Sequence, residues 1–454
     1  MALWFETALV AGEWRDGVRI THRDGVIVAV DQSPPEAHDE RGTIAVPGLG
    51  NVHSHAFQRG MAGLAERCEA GGDEADSFWT WRKVMYGFLE RLGPEDVEAI
   101  AAMAYVEMLE CGFTRVGEFH YLHHDPVGRP YDDPAEMATR VAAAADATGV
   151  ALTLLPVFYA HGGFGGAPPS AGQRRFVNDV DDFADLRAAC RRAVARLDGG
   201  VVGWAPHSLR AATPPQIRRL ASDDGGGPVH IHVAEQPAEV ADCVAAHGAR
   251  PVDWLMDAVG VDDRWCLVHA THVSATEVDR IGRSGAVVGL CPITEANLGD
   301  GLFPARAFLA TGGRIAIGSD SNVLIDAQEE LRLLEYGQRL RDGMRGRLAG
   351  DERRSVGGRL FREAFAGGAA ALGTPPGDIA AGRPLDLVSL DGAHPSLAGR
   401  RGDALLDGWI FAARGGAVDG VWRAGRKLVS GGRHHARDAV AARYRRRLRD
   451  LLAS

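Results

Sequence analysis

Hydrophobic and polar positions fall into two textures along the chain. In the long central part, short apolar runs alternate with longer stretches of helical periodicity. The runs are 44–49, Phe113–Glu118, Ala151–Val157, Val201–Ala205, Val229–Val233, Trp265–Val268, Ala286–Leu290 and Arg314–Gly318. Near-continuous apolar runs of this length predict parallel strands buried on both faces, and stretches such as 95–110 and 135–147 predict the helices between them. Eight βα units in succession predict an α/β fold closed into a (β/α)8 TIM-type barrel, not an open doubly wound sheet.

The two ends read differently. Residues 1–31 hold short apolar strands (Trp4–Val10, Val18–Ile20, Val26–Val30), with Asp16-Gly17 and Asp24-Gly25 suited to tight hairpin turns. The C-terminal part repeats this texture at Leu385–Leu390, Trp409–Ala412 and Val421–Val429. Neither end has enough strands to close a core, so the two are expected to combine into one small β domain that brings the termini together. The Arg-rich tail 437–454 predicts a solvated helix, and the tracts 161–172 and 223–227 read as loops.

Composition narrows the function classes. A formal charge of -10 with scattered acids argues against a nucleic-acid partner. Residues 1–30 carry Glu6, Glu13 and Asp16 between short apolar runs, so no signal peptide is expected, and no stretch reaches the length of a membrane span. Cys68, Cys111, Cys190, Cys243, Cys266 and Cys291 are dispersed without a CxxC pair, as expected of reduced thiols in a cytoplasmic protein.

The chemistry gathers where the predicted strands end, which is where a barrel builds its site. Pro47-Gly48-Leu49-Gly50-Asn51-Val52-His53-Ser54-His55 leads an apolar run into two histidines two residues apart, which on extended backbone aim at one point. Glu118, His120 and Tyr159 are further polar residues at strand ends. In Val229–Gln236, His232 is nearer the strand end than His230, which is expected deeper or bonded to a neighbouring strand; Glu235 lies in the loop beyond. Arg314–Gly318 runs apolar until Asp320 presents a carboxylate. His53, His55, His232 and Asp320 thus form an N3O set suited to a divalent ion with water in the remaining position. A two-metal centre of this kind often needs a carboxylated lysine at a strand end. Lys83 and Lys427 are the only lysines and lie on no predicted barrel strand, so one metal ion per chain is expected. His269 ends the sixth strand and is assigned to proton exchange with the attacking water, Asp320 to accepting that water's proton, and Glu235 to carrying a proton to the substrate nitrogen. His272 is left between a catalytic and a structural role. Gln58, Arg82, Tyr121, His207 and Arg210 form a second, cationic and amide-bearing group, in which an arginine fork would suit a carboxylate; either arginine could equally be a surface residue.

These motifs resemble the amidohydrolase superfamily, and within it the aminohydrolase branch that binds one metal. The resemblance covers nearly the whole chain. It implies a composite β-sandwich from 1–46 and 376–454 (the latter with the C-terminal helix) around a metal-dependent catalytic barrel at 47–375. It assigns His53, His55, His232 and Asp320 to the metal, most simply Zn2+, and Glu235, His269 and Asp320 to catalysis. A more specific set resembles the formimidoylglutamate deiminase family: His53–Arg59, Ser77–Arg82, Glu118–His124, Pro206–Arg210, Cys291–Gly301 and Gly318–Asn322. That resemblance implies hydrolysis of N-formimino-L-glutamate, a small-molecule substrate of histidine breakdown, to N-formyl-L-glutamate and ammonia. It also implies that Gln58, Arg82, Tyr121, His207 and Arg210 line the glutamate end of the pocket. Arg82 is expected to reach a neighbouring subunit's site, which would imply a homodimer. The alternative is a deaminase of a flat ring such as guanine, cytosine or a triazine, with Phe78, Trp79 and Trp81 either stacking on the ring or capping the barrel.

Overall fold

Apolar runs too continuous for a half-exposed sheet are buried here on both faces: every residue of Ala151–Phe158, Val229–Val233 and Trp265–His269 is shielded from solvent. The computed structural model describes residues 1–66, 78–222, 225–350 and 355–453. Eight parallel strand positions form the barrel: Leu49–Ser54, Phe113–His120, Ala151–Phe158, a fourth split into Val201–Val202 and Ala205–Pro206, Val229–Val233, Trp265–His269, Val287–Leu290 and Arg314–Ile317. They pair as two parallel arcs. Single bridges join the arcs, Trp204 with Val229 and Ser208 with His232 on one side, Ser54 with Asp320 on the other.

A second sheet holds eight strands drawn from both chain ends. In chain order its strands run Ala2–Val10, Glu13–Arg23, Val26–Gln32, Glu40–Pro47, Leu387–Leu390, Val418–Arg423, Arg426–Ser430 and Arg433–His434. The ends meet where Glu40–Pro47 lies parallel to the first strand and antiparallel to Leu387–Leu390. The architecture is therefore a TIM-type barrel with an added β-sandwich domain made from the two termini.

Four expectations need correction. The run 44–49 is not the first barrel strand: residues through Pro47 belong to the terminal sheet, and the barrel begins at Leu49. The chain changes sheets at Gly48, where a Cβ would meet the Thr114 side chain at 2.3 Å. Asp16-Gly17 lies inside the strand Glu13–Arg23, where Gly17 takes a positive φ of 63°; the first hairpin turns instead at Ala11-Gly12, both with positive φ. Asp24-Gly25 does turn, with both residues at positive φ. Trp409–Ala412 ends the helix Asp403–Ala412, an apolar stretch too short for its sequence to separate helix from strand. Arg82, in the stretch Ser77–Arg82 that reads from sequence as part of the long loop after the first strand, lies instead on the helix Phe78–Leu89.

The tail forms the helix Arg437–Ala453, and it packs along Pro94–Glu110. Arg443 bonds Glu98 at 2.5 Å and Tyr444 donates to the Arg59 carbonyl, so one face is occupied. Cys111, Cys190, Cys243, Cys266 and Cys291 are free thiols, whereas Cys68 and Ser77 lie outside the described residues, as do residues 223–224 of the Asp/Gly tract. Among the described residues, no helix is long and apolar enough to cross a membrane.

The barrel closes at the strand positions that carry the candidate ligands. His55 N–H donates to the Asp320 carbonyl and Asp320 N–H to the His53 carbonyl, each at 2.9 Å. Gly318 lies against the same seam, and a Cβ there would meet His53 N and O at 2.8 Å. The contacts are backbone, so the added atom must drive the first and eighth strands apart. Gly318→Ala should lower stability by about 1–3 kcal/mol, the usual range for overpacking, and lower metal retention with it. Urea denaturation together with elemental analysis checks this; an unchanged midpoint and full metal content would contradict it.

Candidate active site

His53 and His55 lie on one face of the first barrel strand and its exit, and both are buried. Their Nε2 atoms are 3.1 Å apart, and His232 Nε2, from the fifth strand, is 3.0 Å from that of His53. Asp320 Oδ1 completes the cluster at 3.4 Å from His53 Nε2 and 3.3 Å from His55 Nε2. One ligand atom from each of the four lies within 4.8 Å of the others.

Proton counting decides what such a cluster needs. His55 Nδ1–H donates to the Phe119 carbonyl at 2.9 Å and His232 Nδ1–H to the His207 carbonyl at 3.0 Å. Their Nε2 atoms therefore turn bare lone pairs inward. His53 Nδ1 is buried without a partner, so a proton placed on His53 Nε2 could serve only one of three surrounding acceptors. Burial pushes the His53 imidazole down to about 3 and lowers His55 and His232 as well, which keeps all three rings neutral. A divalent cation satisfies all four groups at once, and the donor set suits one such ion.

The surrounding residues hold the ligands in place. Asn51 Nδ2 donates to Ser319 Oγ (2.6 Å), Ser319 Oγ donates to Asn322 Oδ1 (2.6 Å), and Asn322 Nδ2 donates to Ser54 Oγ (3.1 Å). This chain laces the strand-eight exit to strand one. Glu118 Oε1 accepts the Ala56 amide at 2.7 Å, fixing the backbone immediately after His55, and burial raises its carboxyl to about 8. Asp320, Asn322, His269 and Ala234 all have positive φ. Non-glycine residues hold that conformation only when their surroundings enforce it, and such strain gathers at functional sites.

His269 ends the sixth strand with Nε2 3.7 Å from Asp320 Oδ2 and 3.9 Å from Glu235 Oε1. Its Nδ1 bonds Glu295 Oε1 at 3.2 Å. Burial disfavours its charge, but Glu295, Glu235 and Asp320 outweigh burial and push it up to about 10. Glu235 follows the turn at Ala234, where Glu239 accepts the amides of both Ala234 (3.2 Å) and Glu235 (3.1 Å). Burial raises the Glu235 carboxyl, so it can carry a proton.

Above this end opens a cavity lined by Gln58, Arg82, Tyr121, His207 and Arg210 together with His55, His232, Glu235, His269 and Asp320. All five residues of the cationic group therefore face the metal-site cluster within one cavity. Arg82 lines the cavity of its own chain, with Nε donating to Tyr86 Oη at 2.5 Å. Arg210 lies 3.8 Å from Glu235 through its guanidinium, while its buried Nε has no partner; Gln58 Oε1 is likewise buried and unpartnered. Gln58 Nε2 donates to Tyr121 Oη at 3.0 Å.

His230 and His272 are structural in their contacts. His230 Nε2 bonds the Ala371 carbonyl at 2.7 Å, deep in the barrel, and His272 Nε2 bonds the Asp300 carbonyl at 2.7 Å. Sequence reasoning missed Tyr86, Met85, Phe176 and Leu298 as lining residues, although Tyr86 stands one helical turn beyond Arg82. Tyr159 also lines the cavity and accepts from Gln173 Nε2 at 2.5 Å. Trp81 lines it as well, whereas the side chains of Phe78 and Trp79 lie outside the described residues.

Comparison with known proteins places this geometry. A sequence model of the Amidohydrolase family matches residues 44–428. The chain is 51% identical to a formimidoylglutamate deiminase of Pseudomonas aeruginosa over 99% of both chains. It is 28% identical to an 8-oxoguanine deaminase of the same organism, over 83% of this chain and 84% of that one. Among solved structures, an amidohydrolase from Brucella melitensis superposes with a TM-score of 0.94 at 51% identity, covering 99% of each chain. A zinc-bound adenosine deaminase from Xanthomonas campestris shares the fold, with a TM-score of 0.80 at 23% identity over 100% of this chain and 98% of that one. With a family match across the barrel and a buried three-histidine, one-aspartate cluster at its mouth, the chain belongs to the amidohydrolase family and is a metal-dependent hydrolase.

Proposed function

We propose that this enzyme hydrolyses the formimino group of N-formimino-L-glutamate, giving N-formyl-L-glutamate and ammonia. The observation that carries the reading is the pairing, in one cavity, of the histidine–aspartate cluster with Arg82 and Arg210. The 51% identity to a formimidoylglutamate deiminase supports the same substrate. An amidine is cationic near neutrality and suits the end holding Glu235 and Asp320, whereas the two carboxylates suit the arginines. The unpartnered Arg210 Nε is a donor for a carboxylate, and Gln58 Oε1 is an acceptor for a substrate N–H.

A divalent ion held by His53, His55, His232 and Asp320, proposed to be one Zn2+ per chain, would supply the electrophilic pull that lets water attack at neutral pH. Asp320 takes the proton of the attacking water through Oδ2, the oxygen facing His269. The water oxygen bonds to the formimino carbon, and His269 steadies the negative charge that develops on oxygen. Glu235 passes a proton to the terminal nitrogen and the C–N bond breaks; the hydroxyl proton returns to Glu235 as the formyl C=O forms, and Asp320 gives its proton to the departing ammonia, which leaves as ammonium. Gln58, Arg82, Tyr121, His207 and Arg210 hold the glutamate portion, so the carbon to be attacked is fixed relative to the water. The assembly is proposed to be a homodimer, and the compartment the cytoplasm, where the free thiols remain reduced.

A ring deaminase is the second reading, favoured by the aromatic lining of Trp81, Tyr86, Tyr121 and Phe176 and by similarity to an 8-oxoguanine deaminase. Ammonia release measured across formimino-glutamate, formimino-aspartate, guanine and cytosine separates the two. Preference for the formimino dicarboxylates supports the proposal, and turnover of the rings alone overturns it.

Three expected outcomes follow from the assigned roles. Elemental analysis should find close to one tightly held divalent ion per chain, and His55→Ala or His232→Ala should lose most of it with nearly all activity; a second ion required for turnover would contradict the mononuclear site. Glu235→Gln should retain the metal while turnover falls roughly a hundredfold or more; a metal-free variant would make Glu235 a ligand. Arg210→Met should cost about 2–5 kcal/mol in binding a carboxylate, roughly a thirtyfold to several thousandfold drop in kcat/KM. That loss should fall on acidic substrates and spare a small neutral formamidine. An unchanged ratio of the two specificity constants, in folded and metal-loaded protein, would remove Arg210 from carboxylate recognition.

A further inference from the structure

We infer that Glu295 is a positioning residue, whose carboxylate holds the His269 ring so that Nε2 stands between Glu235 and Asp320. Glu295 sits on the short helix Pro292–Leu298, which follows the seventh barrel strand. Its Oε1 accepts two hydrogen bonds, one from the Cys291 amide at 2.9 Å and one from His269 Nδ1–H at 3.2 Å. The amide bond comes from the residue just before the helix, so the carboxylate is anchored independently of the histidine. The helix start is itself fixed, because buried Glu330 accepts the Ile293 amide at 2.9 Å. Restraint therefore passes from a buried helix terminus, through one carboxylate, to one imidazole nitrogen.

The effect on the ring follows from its geometry. With Nδ1 committed to Glu295, the opposite nitrogen faces Asp320 Oδ2 at 3.7 Å and Glu235 Oε1 at 3.9 Å. A carboxylate on one ring nitrogen fixes the ring's orientation and so the direction in which the other nitrogen points. His269 needs such a hold: its backbone is at φ 66° and that of Ala270 at 48°, where the local chain alone would not keep the side chain aimed. The inference rests on the proposed role of His269, and it does not depend on which amidine is the substrate.

The competing account is that Glu295 only caps its helix. Glu295→Gln separates the two, because the amide oxygen still accepts from Cys291 N–H but bonds an imidazole N–H less strongly than a carboxylate does. In full-length, metal-loaded protein labelled with 15N-histidine, the Nδ1–H of His269 should give a far-downfield proton resonance, assigned by its loss in His269→Asn. In Glu295→Gln that resonance should move upfield. On whichever substrate the wild type turns over, kcat should fall about 10- to 100-fold, with KM changed by less than about twofold and metal content retained. Glu295→Asp, which keeps the charge but withdraws it by one methylene, should keep more of kcat than the Gln variant. A resonance unmoved in Glu295→Gln, or kcat at the wild-type value, would overturn the inference and leave a helix cap. If the Gln variant does not fold, Glu295→Asp decides: a displaced resonance with lowered kcat supports positioning, and wild-type values for both overturn it. Inactivity on formimino-glutamate would count against the substrate reading alone, since the resonance is read without turnover.

Discussion

Three imidazole nitrogens and a carboxylate oxygen cannot stand within 4.8 Å of one another, buried and with the Nδ1 protons of His55 and His232 committed to backbone carbonyls, unless something positive is meant to lie between them. That requirement governs the rest of the structure. The two backbone bonds that close the barrel between strands one and eight join His53 and His55 to Asp320, so closing the barrel and assembling the ligand set are one event. Residues in unfavourable backbone conformations gather at the same rim, among them Ala234, His269 and Asp320. Each costs on the order of 1–3 kcal/mol, a strain that a core of this size can carry. Carboxylates anchored on backbone amides (Glu118 on Ala56, Glu239 on Ala234 and Glu235, Glu295 on Cys291) hold three of the loops that leave the strand ends.

Against this fixed end the cavity sets a second one of opposite character. Glu235 and Asp320 collect negative charge near the ligand cluster, while Arg82 and Arg210 bring positive charge from a separate helix and loop. A substrate with an anionic tail would be held by that tail at the arginines, which leaves its other end facing the histidine–aspartate cluster. In a buried site such attraction is stronger than at a surface, because water screens it less. The aromatic rings around the arginines narrow the space and add shape to the charge pattern.

Much of this was legible in the sequence, for a physical reason. Ligands carried on strands obey a period of two, so His53 and His55 announce a shared target, and an apolar strand ending in Asp320 announces a carboxylate at the barrel mouth. The barrel followed from the alternation of buried runs and helices. What could not be read comes from contacts between distant segments. Glu295 and Glu118 act through backbone amides that only the folded chain supplies. Tyr86 is a lining residue only because residues from Phe78 onward form a helix. The run 44–49 looked like one strand because both of its halves are apolar; the change of sheet at Gly48 depends on Thr114, which lies far along the chain. Trp409–Ala412 misled for a similar reason, since an apolar tetrapeptide is compatible with either element and the helix is decided by its start at Asp403.

We propose that one cavity has a hydrolytic end built on His53, His55, His232 and Asp320 and a carboxylate-binding end built on Arg82 and Arg210. A crystal structure of the metal-loaded enzyme with N-formyl-L-glutamate bound tests it most directly. A single ion should be ligated by the three Nε2 atoms and Asp320, with the formyl carbon beside it and a product carboxylate on the Arg210 guanidinium. A product bound in the reverse sense, or a carboxylate that avoids both arginines, would contradict it.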